Sequence, residues 1–142
     1  VEAARLVMSA TEQLFCLLHD ASEAYLLDIP RPLKRAQEFA FYRTAEAAVQ
    51  ATIYRAVGLD PDYEPKTAIA LLDRRMLRTE QAQLMPPPPD DDKRDDAEHV
   101  RVTIHEIDPR AARRQFLTLY WRLKRKIEAE DDGMATIFER RK

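Results

Sequence analysis

Apolar positions along the chain fall into runs of helical period, separated by breaks marked by proline or glycine, and they predict five to six helices. Residues 2–8 read as the end of a first helix. Ser9 with Glu12 three residues on forms the capping-box pattern that opens the next. That next segment is apolar nearly all round, with Leu14, Leu17, Leu18, Ala21 and Tyr25 on one side and Phe15, Cys16, Leu26 and Leu27 on the other. A helix of this kind is buried, so the pattern predicts a central helix running to about Leu27. Asp28-Ile29-Pro30-Arg31-Pro32 is expected to be extended, because each proline disfavours the helical conformation in the residue before it. A third helix over about 38–57 carries Tyr42, Ala45, Val49, Ile53 and Val57 as its inward stripe, with Gly58 as its stop. Asp60-Pro61 and Glu64-Pro65 mark a turn. The fourth, over about 66–84, carries Ile69, Leu72, Met76 and Leu77. Val100, Val102 and Ile104 alternate with polar residues, as in a short strand or an extended arm. Asp108-Pro109 caps and opens the last helix, whose inward face is Phe116, Leu119, Tyr120, Leu123 and Ile127. Trp121 is expected to give packing or surface cover, and Asp131-Asp132-Gly133 to end the ordered part.

Composition narrows the class. The chain has 142 residues with 45% hydrophobic and 34% charged side chains, and only two glycines, which fits one all-α domain over 1–142 with a real core. The tract Pro86–Pro89 followed by Asp90-Asp91-Asp92-Lys93-Arg94-Asp95-Asp96 reads as a flexible acidic loop over 86–98. It lacks the glycine and terminal glutamate of an EF-hand calcium loop. A net charge of -2 signals no general affinity for polyanions, so nucleic acid is not an expected partner. The lone Cys16 cannot form an internal disulfide, and no apolar run reaches membrane-spanning length. Together with the absence of a leader-like start, these features predict a cytoplasmic protein without a membrane partner.

The central segment sets His19, Asp20, Glu23 and Asp28 into apolar surroundings. On a helix His19 and Glu23 are one turn apart and Asp20 lies about 60° from Glu23, so the three share a sector. Buried charge is costly unless paired or bound to metal. Asp73 projects likewise from the apolar stripe of the fourth helix, with Arg74, Arg75 and Arg78 close in sequence as candidate ion-pair partners. Two readings stay open: a structural polar cluster, and a site for one divalent cation of the mixed imidazole–carboxylate type (Mn, Co, Fe, Ni, Zn or Mg). In the second, an open coordination position acidifies water and polarises phosphorus, so phosphoester hydrolysis is the natural reaction. Glu23 and Asp28 would handle protons, and Arg31, Lys34 and Arg35 could meet substrate phosphate.

The stretch Leu17-Leu18-His19-Asp20-Ala21-Ser22-Glu23-Ala24-Tyr25-Leu26-Leu27-Asp28-Ile29-Pro30-Arg31-Pro32-Leu33-Lys34 resembles the signature of HD-domain phosphohydrolases, in the 5'-nucleotidase-like branch of bacteria and phages. The likeness continues through Ala51–Leu59, Leu71–Glu80, Leu84-Met85-Pro86 and Asp108–Leu117. It implies an HD-type helical bundle whose metal is held by an upstream histidine, the doublet His19 and Asp20, and the downstream Asp73. It also implies Glu23 and Asp28 as catalytic carboxylates, a 5'-(deoxy)nucleoside monophosphate as substrate, and a homodimer. The upstream histidine has no counterpart in this sequence; His99 and His105 lie late in the chain, and residues 1–8 are expected to be the remainder of an incomplete first helix. Arg31 stands where the deoxynucleotidases carry a small hydroxyl residue. The alternatives are a non-catalytic binding or dimerisation module of the same fold and a nucleoside polyphosphate hydrolase.

Overall fold

Helix α2 (Ala10–Leu17) supplies the largest share of the central core, and residues of four other helices pack in the same cluster. In the computed structural model, residues 1–7, 9–86 and 98–139 are described, with side chains up to 132; the expected 86–98 loop falls mainly outside them. The helices in chain order are α1 (Glu2–Arg5), α2, α3 (Arg31–Arg35), α4 (Ala40–Ala56), α5 (Lys66–Leu84) and α6 (Pro109–Glu139), with three short 3-10 turns at Ala21–Ala24, Gln37–Phe39 and Pro61–Tyr63. No strand occurs among the described residues, so the all-α expectation holds.

The start of α2 is the capping box its sequence predicts. Ser9 Oγ accepts the Glu12 backbone N–H at 3.1 Å, and the Glu12 carboxylate accepts the Ser9 N–H at 3.2 Å. Its last four residues, Leu14, Phe15, Cys16 and Leu17, are all buried, together with the cap residue Leu18. Phe15 meets Tyr54 of α4 edge to face at 4.9 Å, and Leu119 and Leu123 of α6 close the other side. Burying side chains of this size contributes roughly 1.5–3 kcal/mol each.

Several boundaries differ from expectation for physical reasons. The central helix ends at Leu17, ten residues short of Leu27, because residues 18–20 form a turn and Ala21–Ala24 tightens into a 3-10 turn. Gln50 of α4 fixes that break: its Oε1 accepts the Ser22 N–H at 2.9 Å and its Nε2 donates to the Leu18 carbonyl at 2.7 Å, satisfying backbone groups a continuous helix would have paired. Residues 28–30 are extended as expected, but Arg31 and Pro32 already belong to α3; a proline in a first helical turn removes an N–H that has no intrahelical partner anyway. In α4, Tyr42 is buried as expected, Ala45 is exposed, and Tyr54, outside the expected stripe, is the other buried residue. In α5, Ile69 and Met76 are buried as expected, but Leu77 is 43% exposed and Thr79 is buried as well, donating to the Arg75 carbonyl and accepting the Val100 N–H at 3.0 Å.

That bond begins an extended arm with no strand partner. Gln83 of α5 takes the place of one, donating to the Val102 carbonyl and accepting from the Ile104 N–H, each at 2.8 Å. Gly58 ends α4 at φ +79°, a conformation costly for side chains with a Cβ. Asp108 Oδ1 accepts the N–H groups of Arg110 and Ala111, capping α6. Helix α6 continues past Gly133 to Glu139, since one glycine costs a helix only about 1 kcal/mol.

Candidate metal centre

The premature end of α2 builds the site. The last carbonyls of a helix have no intrahelical donor, and the ring of His19, just beyond the cap, meets one of them: Nδ1 lies 2.9 Å from the Cys16 carbonyl. A carbonyl can only accept, so Nδ1 carries the proton and the imidazole presents Nε2 to the other side. There it faces two carboxylates, Asp20 Oδ2 at 2.9 Å and Asp73 Oδ1 at 3.8 Å. Nε2 is buried and makes no hydrogen bond, the Asp73 contact being too long for one. An unprotonated Nε2 would set its lone pair against two anions, so the arrangement demands a positive charge: either a proton or a cation. With a proton, contact with Asp20 and then Asp73 outweighs burial and raises the His19 pKa to about 10. The Asp73 carboxyl is held below its ordinary range, first by His19, with Arg31 adding to the effect.

The donor set fits a divalent cation in kind. A histidine whose second nitrogen is anchored on a backbone carbonyl is the usual form of an imidazole ligand. Two donors on one cation at about 2.1 Å and near right angles would lie about 3 Å apart, and His19 and Asp20 are at 2.9 Å. Asp73 stands off, its other oxygen 3.8 Å from Arg31 Nη2. Among the described residues no three His, Cys, Asp or Glu side chains converge closely enough to cage an ion as they stand.

The remaining sequence candidates are placed unequally. Glu23 lies in the 3-10 turn after Asp20, largely exposed, and not one helical turn from His19 on a common α-helix. Its carboxyl pKa is nevertheless raised, by partial desolvation first and then by Asp20 and Asp28. Asp28 is exposed in the extended stretch. Of the candidate phosphate ligands, Arg31 reaches Asp73, and Arg35 is exposed. Lys34 is committed to Glu46 at 2.5 Å. Burial works against its charge, but the Glu46 carboxylate prevails and its pKa is raised. Of the arginines on its own helix, Arg75 turns instead to Glu98, so the ion-pair partner of Asp73 comes from α3.

His19 and Asp73 open onto a cavity of about 650 Å³, bounded also by Glu2, Met76, Glu80 and His105. The extended arm thus brings His105 to the same cavity as the His19 site, which its late place in the chain did not suggest. Gln50 and the carbonyl of Cys16 are the parts that sequence reasoning missed. A lone glutamine on an amphipathic helix, twenty-eight residues from the turn it holds, leaves no periodic signal.

Comparison with known proteins adds one relative. The uncharacterized protein YfdR of Escherichia coli (strain K12) is 41% identical over 68 residues, covering 48% of this chain and 36% of the relative, so the match spans about a third of that protein's length. No protein-family model matches the chain, and no solved structure matches it significantly.

Proposed function

We propose that the chain is a divalent-metal-dependent phosphohydrolase of the HD-domain type, removing the 5'-phosphate of (deoxy)nucleoside monophosphates. The observation that carries this reading is the orientation of His19, whose Nδ1 is anchored on Cys16 while Nε2 faces Asp20 and Asp73. One divalent cation held by these three would supply Lewis-acid polarisation of the phosphate and a more acidic water. Glu23, its pKa raised, is suited to take a proton from the attacking water, and Asp28 to return one to the leaving hydroxyl or to bond the sugar. Arg31 beside Asp73 can turn toward a bound phosphate. The cavity beyond His19 has a volume suited to a small-molecule ligand. The resemblance of the Leu17–Lys34 stretch to the family signature supports the same reading, along with a homodimer.

The test is equilibrium dialysis against Mn²⁺ with elemental analysis, followed by phosphate release from a panel of ribo- and deoxyribonucleoside mono- and triphosphates. One bound cation per chain and release from 5'-monophosphates are expected. Asp73→Ala should lower cation affinity by more than the roughly 10–100-fold typical of loss of an outer partner. Pyrophosphate or triphosphate release from the triphosphates would replace the substrate with nucleoside polyphosphates.

A second reading rests on the Arg31–Asp73 contact: Asp73 as a structural ion pair in a non-catalytic helical module. In that case Asp73→Ala and Arg31→Ala lower thermal stability alike and leave cation occupancy unchanged.

A further inference from the structure

The net charge of -2 conceals a strong asymmetry. Between Pro109 and Ile127, helix α6 carries five arginines and two lysines, with no aspartate or glutamate. At 100° per residue, Arg110, Arg114, Trp121 and Arg125 fall on the side away from the buried Leu119 and Leu123, with Arg113 and Arg122 flanking them. All five arginines are exposed, and Trp121 is 57% exposed in their midst. The lysines are committed, Lys124 to the Val57 carbonyl and Glu128, and Lys126 to Glu130. None of the five arginines has an ion-pair partner among the described residues. Arg114 and Arg122, with Thr118 and Gln115 between them, line a recess of about 320 Å³ against α1, whose Arg5 is paired with Glu2. From Arg110 to Arg125 the row extends about 22 Å along the helix.

We infer that this face of α6 binds single-stranded nucleic acid, with the arginines on successive phosphates and a base stacked on Trp121. Charge complementarity selects a polyanion. Two copies of the face would repel each other, so self-association through it is disfavoured. An interfacial membrane helix would need an apolar side turned outward, whereas the apolar side of α6 is spent on the core and, among the side chains described up to residue 132, Trp121 is the only large aromatic on the outer one. Guanidinium groups interleaved with an exposed aromatic are instead the combination that holds phosphates and stacks bases without reading sequence. The recess shares Arg5 and Gln115 with the lining of the cavity onto which His19 and Asp73 open, but the arginine row includes neither of those two residues, and the inference stands independently of the proposed hydrolysis.

Trp121 is the single tryptophan of the chain, so its fluorescence reports on this face alone. The experiment titrates the full chain with fluorescein-labelled oligo-dT and oligo-dA, read by anisotropy and by Trp121 quenching, from 20 to 200 mM salt in the presence of EDTA. Expected are saturable quenching and a salt slope between about -2 and -4, at roughly 0.7 per phosphate contacted on a single strand. The double variant R114E/R122E should weaken binding at least tenfold with an unchanged helical circular dichroism spectrum. R114Q/R122Q, which adds no like-charge repulsion within the fold, should show the same direction. Trp121→Leu should retain a salt-dependent residue of affinity but lose several-fold. The inference is overturned by no binding at 20 mM salt, or by affinity unmoved in both folded double variants. It is overturned equally if anionic phospholipid vesicles shift Trp121 emission more than the oligonucleotide does at equal phosphate, or if poly-glutamate displaces the oligonucleotide at equal charge.

Discussion

His19 shows how much one side chain depends on the atoms behind it. Its residue type and its neighbour Asp20 are legible in the sequence, and so is the expense of burying them. The tautomer is not, since it follows from where α2 stops and leaves the Cys16 carbonyl open. In the cation-free protein the raised pKa stabilises the fold fully below the unfolded value of about 6.5 and is lost as pH rises through about 10. Chemical denaturation at pH 6, 8 and 10 should therefore show stability falling across that window, and His19→Gln should flatten the dependence. A bound cation displaces the same proton, so Mn²⁺ affinity should rise with pH over the same range, each ion releasing a proton measurable in weakly buffered calorimetry. The Cys16 thiol pKa is raised as well, but there it is the uncharged form that the fold favours. Burial first, with Asp73 and Asp20 adding, raises its thiol pKa, partly opposed by the N-terminal amino group, so the native protein should react with a disulfide reagent only after unfolding.

Element by element, helices with a one-sided stripe and a chemical stop are the legible ones. Helix α5 spans the expected Lys66–Leu84, α4 ends at Gly58, and α6 starts at the Asp108 cap. The central segment is different, because a sequence apolar on every side carries no information about where its helix ends. Gln50 decides the matter by bonding the backbone on both sides of the His19–Asp20 turn. Gln50→Leu leaves the Ser22 N–H without its partner, while the Leu18 carbonyl keeps only the Ala21 N–H at 2.9 Å, and should cost about 1–3 kcal/mol in urea denaturation. It should also weaken cation binding, a readout that a purely structural glutamine would not move. Gly58→Ala meets nothing closer than Lys124 Nζ at 3.6 Å, so its cost is backbone conformation alone, about 1 kcal/mol.

In the whole molecule the arginines of α6 gather on one face, which the total of -2 averages away. No helix among the described residues is long and apolar enough to cross a membrane. Tyr25, Leu27, Leu33 and Phe41 remain exposed along 25–41, and the proposed homodimer is expected to form there, away from the arginines of α6. Sedimentation equilibrium should then give a dimer for the native chain and a monomer for L27E/F41E; a native monomer would remove the dimer from the proposal. By itself the sequence determined the all-α class and the caps and stops of its amphipathic helices, and it named the residues of the proposed metal centre, because these depend on local period, on residue type and on backbone groups a few residues apart. The tertiary structure alone decided where the central helix breaks, that Arg31 rather than an arginine of α5 meets Asp73, and that His105 borders the cavity opened by His19. Those outcomes rest on contacts between residues far apart in the chain, which no periodicity encodes.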